Sequence, residues 1–128
     1  MMETTTNNPV QVGEVKANVI AALGLNIPAD TPILLGDSNI NHMKSRHPND
    51  YEKYGKYIEI ILRNPDYVGI NPSDNSIEYV KEFCISDNEY VKVAIRVSQS
   101  GSFYARSLYT LNPFRVKDFV SNGTLKKP

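Results

Sequence analysis

The chain has 128 residues, 14 Lys and Arg against 14 Asp and Glu, and an apolar fraction of 41%. That length suits a single domain able to bury a core, and that composition excludes intrinsic disorder. Zero net charge excludes a protein that coats nucleic acid non-specifically, so any RNA or DNA contact must run through a local patch.

Residues 1–10 are rich in Thr and Asn and read as a flexible N-terminus, with 11–128 as one domain. The start METTTNNP lacks the charged-then-apolar pattern of a signal peptide, and no apolar run can span a membrane. The expected site of action is the cytoplasm, with no membrane partner. Delivery inside a larger secreted or phage-borne polypeptide is the open alternative. Val15, Val19, Ile20 and Leu23 repeat at helical spacing, and Gly24 stops them. LNIPADTP is a connector, and ILLG (33–36) is a short buried strand. Asp37 or Ser38 can cap a helix that carries Ile40 and Met43 inward and ends before Pro48. Asn49 or Asp50 starts another, with the stripe Tyr54, Tyr57, Ile58, Ile61 and Leu62, ending at Asn64.

The period then changes. YVGI, IEYVKEFCI, YVKVAIRVS and FYARSLYTL alternate as strands, divided by the turn signals NPSDN, SDN and QSG. The lone cysteine, Cys84, excludes an internal disulfide and reads as a small buried hydrophobe. PFRVKDFVSNG forms a short helix closed by Gly123. The expected fold is α+β: N-terminal helices packed on one face of a four-stranded antiparallel meander, then a short C-terminal helix.

A loop at Gln99–Gly101 sets Ser98 opposite Ser102, Arg96 opposite Tyr104 and Ala94 opposite Arg106. Alternation sends Val91, Val93, Ile95 and Val97 toward the helices. It leaves Lys92, Arg96, Ser98, Tyr104, Arg106 and Thr110 on an open face. No acid occurs between Glu89 and Asp118, where Lys92, Arg96, Arg106, Arg115 and Lys117 all fall. Such a face can hold phosphates and stack a base, with Arg96, Tyr104 and Thr110 as substrate-binding candidates. The plain alternative is a solvated face that only keeps the sheet soluble.

His42 and His47, the only histidines, stand in HMKSRH. Five residues apart, they do not share a helix face, and no carboxylate or second cysteine joins them at ligand spacing, so no metal or cofactor is expected. No G-x-S-x-G elbow supports a nucleophilic triad. Acid–base work on a phosphodiester fits better. Cleaving RNA needs a base for the 2′-OH, an acid for the leaving 5′-oxygen and cations for the phosphorane. Histidine serves either proton-transfer role near neutrality. Lys44 and Arg46 are the nearby cations, and Arg46 lies one turn from His42 on the same helix face. An exposed polar helix face with an incidental histidine pair is the bland reading.

Together, ILLGDSNINHMKSRHP, the helix leading into NPDYVGI and the strand YARSLYTL resemble the phage-associated branch of the barnase–EndoU–colicin–RelE-like nucleases. The likeness runs from about Val12 to Leu125 and rests on order and spacing more than on any single motif. It implies a metal-independent, toxin-type endoribonuclease of that fold, with RNA, and tRNA first, as substrate. Cleavage by 2′-OH attack would leave 2′,3′-cyclic phosphate and 5′-OH ends. The resemblance implies His42 and His47 as acid and base in either order, Arg106 on the phosphate, and Ser107 and Tyr109 orienting the nucleotide. By strict alternation Ser107 and Tyr109 face away from Arg106, so one cleft would require a bulge or twist. The resemblance also implies an acidic immunity or antitoxin protein as partner. Two other readings compete: a catalytically inactive nucleic-acid- or protein-binding module, and a structural protein of a phage or mobile element. Both predict no turnover.

Overall fold

The computed structural model describes residues 8–84 and 88–128. The expectations for residues 1–7, for Ile85 as a strand end and for the side chain of Cys84 lie outside what is described. The first element is a strand, β1 (Val10–Val15), paired antiparallel with β2 (Thr31–Leu35). Val15 therefore closes a strand instead of opening a helix, and α1 spans Ala17–Leu23. The sequence hides β1 because its register slips between Gln11 and Gly13, which breaks the two-residue period. Gly13 also matters by having no side chain: a Cβ there would lie 3.3 Å from Leu62 Cβ, so this strand lies close under the helix that carries Leu62.

Helix α2 (Asp37–Arg46) ends at His47, and α3 (Pro48–Tyr54) starts at once with Pro48 in its first turn, where a missing N–H costs nothing. The expected helix from Asn49 to Asn64 is in three pieces: α3, a 3₁₀ turn at Gly55–Tyr57, and α4 (Ile58–Arg63). Its apolar stripe survives the break, with Tyr54, Ile58, Ile61 and Leu62 all buried.

Strands β3 (Tyr67–Ile70), β4 (Ile77–Cys84), β5 (Asn88–Val97) and β6 (Phe103–Leu111) form the expected meander. It is the centre of a larger sheet, however. Seven strands run in the order β1-β2-β6-β5-β4-β3-β7, where β7 is Leu125–Lys126, and β2 lies parallel to β6. Two strands at one flank and one at the other thus correct the four-stranded meander. A two-residue strand such as β7 is too short to show a period, and a Cβ on Gly69 would collide with the Thr124 carbonyl at its entry.

One sheet face carries Val68, Ile77, Tyr79, Val91, Val93, Ile95, Ala105 and Leu108 against Val19, Met43, Tyr54, Ile58, Ile61 and Leu62 of the helices. Burying each Val, Leu, Ile or Met side chain of this layer fully stabilises by about 1.5–3 kcal/mol. Val97, expected in this layer, is 57% exposed. The opposite face is not wholly open, because α5 (Pro113–Ser121) crosses one end and buries Val80, Val116 and Leu125 beside Tyr67, Tyr90, Leu111 and Phe119. Helices therefore cover both faces. What remains uncovered is the other end of the second face.

Candidate active site

Strand β6 changes character halfway along. Lys92 pairs with Tyr109 and Ala94 with Ser107, but the next pair is Ile95 with Ala105, so Arg106 is an extra residue in a bulge. The expected pairing of Ala94 with Arg106 is thereby corrected, whereas Arg96 does oppose Tyr104. The bulge shifts the phase by one. Ser107 and Tyr109 turn to the face of Lys92, while Arg106 stays exposed at the seam. Thr110, expected on the open face, pairs with Val91 and shares its face.

The bulge coincides with a change of neighbour. β2 pairs with β6 only at Phe103 and Tyr104, and beyond them the α2–α3 corner lies along the free edge. Asp50, in the first turn of α3, accepts the Thr110 N–H at 3.0 Å and the Thr110 hydroxyl at 3.4 Å. A carboxylate thus satisfies a strand donor left without a strand partner. Three residues before it, the His47 ring stacks on Tyr109, with centroids 4.8 Å apart and planes 27° apart. These two contacts join the same two segments and fix the imidazole over the second face.

Beside Tyr109 lies a buried ion pair. Lys92 Nζ is 4.7 Å from the Tyr109 ring centroid and 2.7 Å from Glu78 Oε2, and both charged side chains are 10% exposed. Asn71 Nδ2 donates to the same Glu78 oxygen at 3.5 Å. Burial pulls the Lys92 ammonium down, but Glu78 and Tyr109 together outweigh it and hold Lys92 above its ordinary value. It is a fixed cation at neutral pH. Asp74, in the loop between β3 and β4, is held below the usual carboxylate range by its hydrogen bonds from Ser76, with Arg96 and Lys92 adding to the effect.

The other expected site residues are less gathered. His42 is half-buried in α2 and Arg46 is exposed, and among the described residues neither side chain makes a hydrogen bond, ion pair or ring contact. Lys44 is exposed, with its ammonium 5.6 Å from the Tyr51 ring. Arg96 is exposed beside half-buried Tyr104. So the structure brings His47, Ser107 and Tyr109 to one place, with Arg106 at its edge. Sequence reasoning missed Glu78, Asp50 and the weight of Lys92. A signal existed for two of them: Glu78 in IEYV and Lys92 in YVKV each interrupt an apolar strand in the phase of the second face. Among the described residues, no three His, Cys, Asp or Glu side chains come together as a metal site.

A family model described as phage-Barnase-EndoU-ColicinE5/D-RelE like nuclease3 matches residues 10–118. The chain belongs to this nuclease family. Its α+β architecture, with a histidine-bearing helix ahead of an antiparallel meander, is consistent with such a fold. Comparison with curated proteins and with solved structures returned no match. Family membership points to nuclease chemistry on a nucleic-acid substrate. No helix among the described residues is long and apolar enough to cross a membrane.

Proposed function

We propose that this family member is a toxin-type endoribonuclease that cuts RNA, tRNA foremost, without a metal ion. The observation that carries the reading is the His47 imidazole stacked on Tyr109, beside a buried lysine kept charged by Glu78. In the reaction the 2′-oxygen bonds to phosphorus as its proton is taken. The 5′-oxygen leaves and is protonated, giving a 2′,3′-cyclic phosphate and a 5′-OH. His47 moves one of these protons, and Tyr109 holds its ring. His42, on the preceding turn of α2, is the candidate for the other. Arg106 grips the phosphate, Ser107 offers it a hydroxyl, and Lys92 adds a preorganised positive charge to the developing phosphorane. Arg96 and Tyr104 extend the binding face, with Lys44 and Arg46 at its helical rim.

The test is incubation of the purified protein with total RNA and with tRNA in the presence of chelator, followed by end-group mapping. New ends bearing cyclic phosphate and 5′-OH are expected, and they should vanish in His47→Ala while the circular dichroism spectrum stays native. RNA left whole at high protein concentration would overturn the reading and leave a binding module. A toxin of this kind also calls for an acidic immunity or antitoxin protein that plugs the cationic face. Expression of the chain alone should then be harmful and should be relieved by His47→Ala.

A further inference from the structure

A second concavity opens on the same sheet face, at the end covered by α5. It is a groove of about 400 Å³ between the sheet residues Tyr67, Glu82 and Tyr90 and the helix residues Phe114, Lys117 and Val120. That volume lies in the range of small-ligand pockets, about 300–1,000 Å³. Phe114 is 77% exposed although it is a large aromatic side chain, and it sits in the first turn of α5, whose start is fixed by the Asn112 side chain accepting the Phe114 N–H at 2.8 Å. Among the described residues, no ring or cation contact engages it.

The register ties this groove to the candidate active site. Tyr90 precedes Lys92 by two residues on β5, and its partner Leu111 follows Tyr109 by two on β6. The groove therefore begins about 7 Å along the strands from the Lys92–Tyr109 pair, on the same face. That is the spacing of neighbouring nucleotides in an unstacked strand. Aromatic rings offer a stacking surface, Glu82 offers a hydrogen-bond acceptor, and exposed Lys117 offers a cation for a flanking phosphate. Glu82 already pairs with the Tyr90 hydroxyl, but Lys117 has no partner among the described residues, and an RNA phosphate supplies it with an anion that a buried apolar peptide would not.

We infer that the Tyr90–Phe114 groove is a nucleobase subsite for the RNA strand whose phosphate lies at His47, Arg106 and Ser107. This rests on the nuclease reading for the identity of the strand. Its own test is independent of cleavage. A short single-stranded oligoribonucleotide carrying 2′-O-methyl groups cannot be cut by 2′-OH attack. It should bind, and amide and ring NMR signals of Phe114 and Tyr90 should shift. Phe114→Ala, an exposed position, should fold normally and weaken this binding by about tenfold, as loss of one base stack does. Lys117→Ala should weaken it less and lower its salt dependence. If the oligonucleotide binds and natural RNA is not cut, the subsite stands and the catalytic reading fails. If RNA is cut but Phe114→Ala binds and cleaves like wild type with no signal shift at α5, the subsite is overturned.

Discussion

The two halves of β6 show how one strand can be scaffold and candidate site at once. Its first half, Phe103–Ala105, is an interior strand flanked by β2 and β5, and its inward residue Ala105 is fully buried. Its second half, Ser107–Leu111, keeps β5 on one side but has lost β2 on the other, and a helix corner with Asp50 and His47 takes that place. The bulge at Arg106 is the seam between them. The difference teaches where a strand becomes open to side chains from outside the sheet. A strand with two strand neighbours has spent its backbone groups on the ladder, whereas a strand with one neighbour can receive a side-chain clamp and, with it, a polar ring.

The sharpest way to break this contrast is to remove the ring that marks the second half. His47→Ala should lower the RNA cleavage rate by about 10²–10⁴-fold with the fold retained. His42→Ala, which removes no hydrogen bond, ion pair or ring contact among the described residues, should cost less. Equal losses in the two variants, measured by initial rates on one substrate, would refute the privileged place of the corner. Next in size is Lys92→Ala. It leaves Glu78 charged and buried without its partner, so stability should fall by about 3–5 kcal/mol in denaturant unfolding. The double variant Lys92→Met with Glu78→Gln should recover most of that loss, because no buried charge then stands alone.

Asp50→Ala tests the clamp itself. Losing a charged acceptor for the Thr110 N–H should cost toward the low end of about 1.5–3 kcal/mol. Activity should drop through kcat more than KM, since the imidazole loses its anchorage while the phosphate ligands remain. Arg106→Ala tests the seam: the slope of log affinity against log salt should fall by about one, with little change in stability. The smallest effect belongs to the other side of the helix layer. Bonds from Lys53 and Tyr54 hold the Glu89 carboxyl below its ordinary value of 4.5. Its contribution is complete above that value and is lost as pH falls through the folded-state value. Wild type should therefore lose thermal stability more steeply than Glu89→Gln below pH 4.5. Parallel curves would mean that this network at the core's edge does not hold α3 to β5.

Much of this was already written in local chemistry. Alternation in YVKVAIRV placed Val91, Val93 and Ile95 in the core and Lys92 and Arg96 opposite, because a strand side chain has only two directions to choose from. The helix stripe from Tyr54 to Leu62 survived the break at Gly55 because the inward positions, not helix continuity, hold the core together. The density of histidine and cation in HMKSRH falls at the corner where His47 stacks on Tyr109. Other features depended on neighbours distant in sequence. The edge strands β1 and β7 are too irregular or too short for a period, and they exist because β2 and β3 offer free edges. The bulge that turns Ser107 and Tyr109 to the side of Lys92 needs a partner strand one residue shorter, a property of the pair and not of either strand. Which histidine meets the sheet was likewise left to the tertiary structure. The Pro48 boundary turns the chain at His47, and only the free edge of β6 beyond Tyr104 gives that turn a surface to lie against.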